Sequence, residues 1–442
     1  MSPRVDKTPP TSDSSEACLP RPEYPRPILA RDDWQSLNGR WSFRVDEDNR
    51  GLADHWFKAA WDHAGTIIVP FSMESVASGM AESEGARVVW YQREIANPEA
   101  WRGRIVLRIG ASDFHTRVFV NGLEVGQHRG GYAAFGFDIQ HALQLGRNHI
   151  TIRVEDSLSW TQPRGKQAGT TRWPIDYDGV TGIWQSVWLE PLPTVSIEST
   201  SYAYEVDKQS LHYKVFLSEH VDGEVSLEIL DGDGVVASDT VQTSGRAEVR
   251  TTLAIETPKL WSPEQPYLYE VRLTLLNHAT GERDQAMSYT GLREVSVIDG
   301  QLCLNGAPRY LRGVLDQGYF PGGWYTAPTD EELRRDVELT VAMGFNCARK
   351  HQKAEDPRYL YWADKLGLMV WAEMPSGRVF SSELVESLTG EWMDLIKRDR
   401  AHPSIIAWVP FNESWGIWHQ SERPEQRAFA DAVTSLTKSL DD

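Results

Sequence analysis

Apolar and polar positions alternate along most of the chain before residue 293, and a period of two predicts β-strands. Residues 104–109 place three aliphatic side chains on one face and two arginines on the other. Residues 116–120 and 123–125 flank Asn121-Gly122, a strong signal for a two-residue hairpin turn. No long helical period interrupts residues 28–193, so this region is predicted to be an all-β sandwich.

The same period continues through residues 194–293, where half-buried strands are predicted around residues 211–217, 225–229 and 269–275. Their spacing is typical of a small immunoglobulin-like sandwich. The acidic run Asp231-Gly232-Asp233-Gly234 begins like a calcium loop, but Val235 stands where a third oxygen ligand is needed. This segment is therefore predicted to be a hairpin turn.

After Leu292 the pattern changes to short apolar runs that alternate with helical segments. Capping signals at Thr329 and Asp356 open two of the helices, and glycines close them. The predicted strands are residues 310–314, 345–349, 368–374 and 405–411, and the predicted helices are residues 329–344, 356–367, 383–400 and 424–440.

Strict strand–helix alternation is the rhythm of a (β/α)₈ barrel, which needs eight units and about 250 residues. Only four units follow Leu292, so residues 294–442 are expected to form the N-terminal part of such a barrel, truncated within it. A self-contained, doubly wound domain of four strands is the alternative.

The composition narrows the range of partners. The chain of 442 residues has 63 acidic and 45 basic side chains, a net charge of −18. This balance argues against nucleic acid or an anionic membrane as a partner. The three cysteines, Cys18, Cys303 and Cys347, are too few and too scattered for a disulfide framework or a zinc site. Cys303 and Cys347 are expected to be buried in the core.

Residues 1–27 are rich in Pro, Ser and Asp and contain no apolar stretch of the kind found in signal peptides. They are predicted to be a disordered lead-in. A cytoplasmic protein without cofactor is therefore expected.

The stretch 404–416 carries the clearest chemical signal. Its apolar run, residues 405–409, has the length of a buried strand, and the polar pair Asn412-Glu413 follows directly. In parallel α/β architectures the carboxyl ends of the strands carry the chemistry. Glu413 is therefore a candidate catalytic carboxyl group, although a buried strand with a capped Glu is the structural alternative.

Arg400-Ala401-His402-Pro403-Ser404, then Trp408, then Asn412-Glu413-Ser414-Trp415-Gly416 resemble the acid/base signature of glycoside hydrolase family 2. That family includes β-galactosidases, β-glucuronidases and β-mannosidases. Segments that resemble its N-terminal jelly-roll domain and its middle domain are residues 41–43, 69–71, 90–91, 182–185, 260–263 and 266–269. The resemblance therefore covers all three predicted domains.

The resemblance implies a retaining mechanism, which needs two carboxyl groups about 5 Å apart. Glu413 corresponds to the acid/base, which burial beside Trp415 and a second carboxylate would keep protonated near neutral pH. The family's nucleophile ends the seventh barrel strand, so it is expected beyond residue 442. The chain of 442 residues is accordingly expected to lack proper turnover.

The resemblance also implies other substrate contacts. Asn412 is expected to hydrogen-bond the hydroxyl next to the anomeric carbon, and Arg349 to orient the nucleophile. His351 lies near the position of a histidine that many β-galactosidases present to the sugar, although a structural role is equally consistent with the sequence. No metal-ligand pattern follows Glu373, so no metal is expected.

Trp415 and four further residues are weaker candidates for substrate binding. Asp316 follows the first predicted strand of the third domain and Glu373 ends the third, and each is alternatively the partner of a neighbouring Arg or Lys. Arg164 and Asp176 lie on a long loop of the first domain, which in relatives reaches the barrel mouth; solvated loop positions are the alternative.

The sequence thus indicates a retaining exo-β-glycosidase of β-galactosidase or β-glucuronidase type, with a carbohydrate substrate and the homo-oligomeric assembly that relatives often show. β-Mannosidase and glucosaminidase specificities are the enzymatic alternatives. A non-catalytic carbohydrate-binding or scaffold protein is the alternative of a different class.

Overall fold

The computed structural model describes residues 19–81, 86–97, 101, 103–169 and 173–441. In its first domain, alternating burial brings two antiparallel sheets face to face, with strand orders β3-β2-β4-β10-β7-β8 and β1-β12-β5-β9. The strands are β1 (Gln35–Ser36), β2 (Gly39–Val45), β3 (Gly65–Val69), β4 (Val88–Ala96), β5 (Arg104–Ile109), β6 (Ser112–Asp113), β7 (His115–Val120), β8 (Leu123–Arg129), β9 (Phe135–Asp138), β10 (Arg147–Glu155), β11 (Gly182–Ile183) and β12 (Val187–Leu192). Trp41, Tyr91 and Leu107 belong to the core between the sheets.

The predicted hairpin is confirmed. Val120 of β7 pairs with Leu123 of β8, so Asn121 and Gly122 form the two-residue turn. Both have positive φ angles, 50° and 83°, as a type I′ turn requires.

The second domain is a sandwich of a three-stranded sheet, β13-β14-β17, and a four-stranded sheet, β16-β15-β18-β19. Its strands are β13 (Ile197–Glu205), β14 (Ser210–Val221), β15 (Gly223–Asp231), β16 (Gly234–Gln242), β17 (Arg246–Ala254), β18 (Tyr269–Asn277) and β19 (Arg283–Thr290). The turn between β15 and β16 confirms the hairpin predicted there. The Asp231 carboxylate accepts hydrogen bonds from Lys259 and Tyr267.

A small antiparallel sheet leads into a parallel one with the order β23-β24-β25-β26. The elements are β20 (Val295–Ile298), β21 (Gln301–Leu304), β22 (Ala307–Pro308), β23 (Gly313–Asp316), α1 (Asp330–Ala342), β24 (Cys347–Lys350), α2 (Pro357–Leu366), β25 (Met369–Glu373), α3 (Ser382–Asp399), β26 (Ile405–Val409) and α4 (Pro424–Leu440). The Thr329 and Asp356 side chains cap α1 and α2, as predicted. The buried cysteines Cys303 and Cys347 also confirm their prediction.

The order of the parallel strands decides between the two predicted architectures. Right-handed crossovers between consecutive neighbouring strands place every helix on the same face of the sheet. Double winding requires a reversal of the strand order, and β23 to β26 show none. The doubly wound alternative is therefore wrong, and the observed order is that of successive units of a (β/α)₈ barrel.

The predicted disorder of the lead-in is wrong for residues 19–27. Tyr24 is buried and donates a hydrogen bond of 2.6 Å to Glu190. Arg21 is buried as well and forms an ion pair of 2.9 Å with Asp356, the residue that caps α2. Composition signalled disorder because it does not reveal such distant partners. Residues 1–18, including Cys18, lie outside the described residues.

No helix in the described part of the chain has the length and apolar character needed to cross a membrane.

The first domain contacts the third through a buried carboxyl group on α3. Glu391 Oε1 accepts hydrogen bonds from the backbone N–H groups of Tyr132, at 2.5 Å, and Ala133, at 3.2 Å. Burial raises the pKa of Glu391 to about 7, although these N–H groups act in the opposite direction. The contact between the domains therefore contains a group that titrates near neutral pH.

This contact predicts a pH dependence of stability. The unfolded chain releases the Glu391 proton near pH 4.5, whereas the folded protein keeps it to about pH 7. The folded state binds more protons in this window, so its stability falls as pH rises, by up to about 3 kcal/mol from this group. We expect Glu391→Gln to flatten the fall of the thermal unfolding midpoint between pH 5 and pH 8.

The control is Glu386→Gln, which changes an exposed carboxylate on the same helix. It should retain the wild-type pH profile. If Glu391→Gln and Glu386→Gln gave the same profile, Glu391 would not be the titrating group.

Candidate active site

One guanidinium group connects the carboxyl ends of three parallel strands. Arg349 of β24 donates from Nε to Glu373 Oε2 of β25 at 2.6 Å. It also donates from Nη2 to Oδ1 of Asn412, which follows β26, at 2.7 Å. The structure therefore brings together three of the residues that the sequence proposed for one site.

Both carboxyl oxygens of Glu373 have hydrogen-bond partners. Its side chain is fully buried, and its Oε1 atom accepts the backbone N–H of Gln352 at 2.8 Å. His351 Nδ1 lies 3.2 Å from the same oxygen. Glu373 thus takes the structural role that the sequence left open, and His351 joins the same cluster.

Asn412 has an unsatisfied donor. The side chain is only 2% exposed, and its Nδ2 atom has no hydrogen-bond partner among the described residues. Buried polar atoms are almost always paired, so an exception calls for a reason. Because Arg349 holds Oδ1, the amide orientation is fixed, and Nδ2 is left as a donor without a partner among the described residues.

Glu413 presents its carboxyl group to solvent. It is an exposed residue, and no hydrogen bond or ion pair holds its side chain among the described residues. Glu413 and Ser414 both have left-handed φ angles, 50° and 62°, and non-glycine residues of this kind concentrate at functional sites. The burial beside Trp415 that the sequence-based hypothesis required is therefore not present around this carboxyl group.

The segment His402-Pro403-Ser404, directly before β26, has a structural role. His402 is buried, and its Nδ1 atom lies 2.5 Å from Asp364 Oδ2 of α2. The other oxygen of Asp364 accepts the backbone N–H of Ser404 at 2.9 Å. This carboxylate therefore fixes the start of the strand whose far end carries Glu413.

Asp316 does not join the cluster. It pairs with Lys350 in the β23–β24 register, and its Oδ2 atom lies 2.7 Å from Lys350 Nζ. Neighbouring residues of a strand point to opposite faces, so Asp316 and Lys350 lie on the face opposite Arg349. Burial lowers the pKa of Lys350, but Asp316 and Glu355 outweigh that effect and raise it above its ordinary value. Asp316 thus neutralises a buried lysine.

The long loop of the first domain does reach the third domain. We call residues 160–169 and 173–178 the strap. The backbone N–H groups of Arg164 and Gly165 donate to the carbonyl of Ser376, just after β25, at 3.2 and 3.0 Å. The Arg164 guanidinium is buried against Asp156, at 2.9 Å, and serves the loop's own structure.

Asp176 is a buried residue of the strap and accepts hydrogen bonds from both Nη atoms of Arg378. The guanidinium carbon of Arg378 lies 4.1 Å from the ring centre of Trp173 and 4.6 Å from that of Trp415. Trp160 covers it at 4.3 Å. The Arg378 cation, surrounded by these indole rings, thus connects the strap to the segment that follows β25. Trp415 is buried in the cluster and supports it from within.

Sequence reasoning missed Arg378 and Trp173. Lys166 lies on the loop that the sequence singled out, next to Arg164, and its Nζ atom lies 5.7 Å from the Trp415 ring centre. The available signal was a tryptophan in a polar loop, Trp173, which has no core function at that position. Among the described residues, no group of three or more His, Cys, Asp or Glu side chains is arranged to hold a metal ion.

Comparison with known proteins identifies the family to which this chain belongs. The sugar binding domain of glycosyl hydrolases family 2 matches residues 34–193, a second model of glycosyl hydrolases family 2 matches residues 195–293, and the TIM barrel domain of that family matches residues 295–442. The chain belongs to glycosyl hydrolase family 2.

Curated relatives of this family 2 member are glycosidases. A β-glucuronidase of Paenibacillus borealis is 27% identical over 93% of this chain and 73% of the relative. A human β-glucuronidase is 27% identical over 95% and 68%. A β-galactosidase of Thermoanaerobacter pseudethanolicus is 28% identical over 86% and 51%. The chain thus spans between about half and three quarters of these relatives.

Solved structures of the family agree with the fold. The β-glucuronidase from Ruminococcus gnavus in complex with D-glucuronic acid superposes with a TM-score of 0.82 at 25% identity. The match covers 95% of this chain and 72% of that protein.

The Asp176–Arg378 ion pair connects the strap to the third domain, so we predict a local loss of stability when this pair is broken. Asp176→Asn removes the charge that neutralises the buried Arg378, and breaking a buried pair in this way costs about 3 kcal/mol. We expect faster hydrogen exchange in the strap, because its anchor on the third domain weakens. Hydrogen-exchange mass spectrometry measures this directly.

Asp394→Asn is the matched control, since Asp394 and Lys397 form a half-exposed pair on α3 with 3.9 Å between nitrogen and oxygen. Exposed pairs contribute less than about 1 kcal/mol. Equal effects of the two substitutions on strap exchange would contradict the role of the buried pair.

Proposed function

We propose that the protein is a retaining exo-β-glycosidase that hydrolyses terminal β-linked sugars, and that residues 1–442 supply its acid/base residue. A β-glucuronidase activity is preferred, and a β-galactosidase activity is the second choice. The observation that carries the proposal is the free Glu413 carboxyl group beside the unsatisfied Asn412 donor. The order of preference follows the named relatives, most of which are β-glucuronidases.

In the first step, Glu413 donates its proton to the glycosidic oxygen as the bond to the anomeric carbon breaks and the electron pair moves to that oxygen. A carboxylate nucleophile attacks the anomeric carbon at the same time and forms a glycosyl ester. In the second step, Glu413 takes a proton from water, which then attacks the anomeric carbon and releases the nucleophile. Glu413 thus ends the cycle protonated.

The nucleophile is proposed to lie outside residues 1–442. Glu373, the other acidic side chain in the cluster, is engaged by Arg349 and by the Gln352 amide. The relatives are longer than this chain, which covers 73% of the Paenibacillus borealis enzyme. A chain without the second carboxylate is expected to lack turnover.

The remaining residues of the cluster position the sugar. Asn412 Nδ2 donates to the hydroxyl next to the anomeric carbon, and Arg349 keeps the amide in the orientation that allows this. His351, buried against Glu373, contacts the sugar from the neighbouring strand. Asp316, Arg164 and Asp176 are assigned structural roles.

The second candidate function is a non-catalytic carbohydrate-binding protein. The solvated position of Glu413 favours it, because a proton donor at neutral pH is usually shielded from water. A cytoplasmic location and a homo-oligomeric state both stay predictions.

Kinetics on an active form of the protein, in which the second carboxylate is supplied, test the acid/base assignment. We expect Glu413→Gln to lower kcat/KM on alkyl β-glucuronides by about 10³-fold, because general acid catalysis contributes 10²–10⁴-fold. Dinitrophenyl glycosides need little protonation of the leaving group, so the first step should be nearly unaffected with them. Added azide, which needs no general base, should then restore turnover.

Glu386→Gln on the exposed face of α3 is the control and should leave all rates unchanged. A Glu413→Gln variant whose rate loss did not depend on the leaving group would exclude the acid/base role. Substantial hydrolysis by the chain of 442 residues alone would exclude a nucleophile outside it.

A further inference from the structure

Two exposed indole rings lie on either side of the buried Trp415. Trp173 of the strap is 41% exposed and Trp418 is 43% exposed. Their ring centres lie 6.2 and 6.1 Å from that of Trp415, so the three rings form one continuous cluster. Trp415 follows Glu413 by two residues, which places this cluster, here called the indole rim, next to the candidate proton donor.

The indole rim is held rigidly. Trp418 Nε1 donates to the backbone carbonyl of Arg378 at 2.8 Å. The backbone N–H of Trp173 donates to Asp176 at 2.8 Å, and Asp176 also binds the Arg378 side chain. Exposed aromatic rings that are already ordered bind a ring-shaped ligand without a large entropic cost. The rim therefore has the properties of a stacking surface.

The charge at the indole rim is not fully balanced by the described residues. Asp176 neutralises Arg378, but Lys166 makes no ion pair or hydrogen bond through its Nζ atom in the described part of the chain. The Lys166 backbone is fixed, because its carbonyl accepts the N–H of Tyr177 at 2.9 Å. A half-buried ammonium group of this kind favours an anionic ligand through its local charge, although the chain as a whole is acidic.

The depth of the groups indicates which part of a substrate lies at the indole rim. Asn412 and His351, only 2% and 6% exposed, are suited to the innermost ring. In an exo-acting enzyme the terminal sugar is innermost and the leaving group extends outward. The exposed Trp173 and Trp418 therefore lie on the leaving-group side.

We propose that Lys166, Trp173 and Trp418 form a leaving-group subsite that selects a ring carrying a carboxylate. The indole faces stack on the ring, and the Lys166 ammonium pairs with its acidic group. This inference rests on the proposed function for the assignment of the inner and outer positions.

Binding to the chain of 442 residues tests the subsite without any need for turnover. The probes are 4-carboxyphenyl and 4-carbamoylphenyl β-D-glucuronide, which have nearly the same shape and differ in the charge of the leaving group. We expect the carboxylate to bind about fivefold more tightly in ligand-observed NMR titrations at low salt, and the ratio to fall as salt screens the pair. The corresponding pair of β-D-galactosides should give the same ratio.

The variants separate the two contributions. Lys166→Met should reduce the ratio to about one, whereas Lys166→Arg should retain it because the charge remains. Trp173→Ala and Trp418→Ala should weaken both ligands of a pair equally, since stacking does not depend on the acidic group. Lys397→Met, which removes an exposed ammonium group on α3, is the control and should change neither affinity.

Equal affinities of the two ligands for the wild-type chain would overturn the proposal, and so would a ratio that survives Lys166→Met. Failure of both pairs to bind would overturn it as well. These outcomes are independent of hydrolysis, so the subsite and the glycosidase assignment fail separately.

Discussion

The geometry of the site depends on two hydrogen bonds that the Arg349 guanidinium donates. It reaches from β24 to a carboxylate on β25 and to an amide after β26, at 2.6 and 2.7 Å. Glu373 is fully buried, and this partner and the N–H of Gln352 compensate for the water that its carboxyl group loses there. The same cation fixes the Asn412 amide and so decides which of its atoms is free. Glu413 directly follows Asn412, so the fixed position of Asn412 also constrains the backbone of Glu413.

The strap packs next to the strand-end cluster of Arg349, Glu373 and Asn412, against the segment that follows β24. The approach of the two domains is so close that a Cβ atom on Gly165 would lie 2.0 Å from the carbonyl oxygen of Gln352. Only glycine fits at this point, where the φ angle of 60° also favours it. Gln352 donates its N–H to Glu373, so the strap contacts the residue that supports the Arg349 network. The first domain thus contributes to the architecture of the strand-end cluster as well as to its rim.

Much of the fold was predictable because it is encoded locally. The Asn121-Gly122 turn, the Thr329 and Asp356 caps and the apolar run of β26 each depend on neighbours within a few residues. Arg349, Asn412 and Glu373 were also predictable as a group, since the ends of adjacent parallel strands meet at one edge of a sheet. Their hydrogen bonds confirm that they meet there.

The rest depends on register and on distant contacts. Strand β23 begins at Gly313, three residues after the predicted start, and its pairing turns Asp316 to the face of Lys350. The side chain of Glu413 is exposed because two left-handed residues follow Asn412, and no residue type there signals that conformation. Arg378 and Asp176 are separated by 202 positions, so their pairing was not visible from either segment.

The central claim is that the carboxyl group at position 413 protonates the departing oxygen of a sugar held by Asn412. An experimental structure of the Glu413→Gln protein with a bound aryl β-glucuronide tests this most directly. The account predicts the glycosidic oxygen about 3 Å from the side chain at position 413, with the adjacent sugar hydroxyl hydrogen-bonded to Asn412 Nδ2. A sugar bound away from both residues, with the Arg349 network intact, would contradict it.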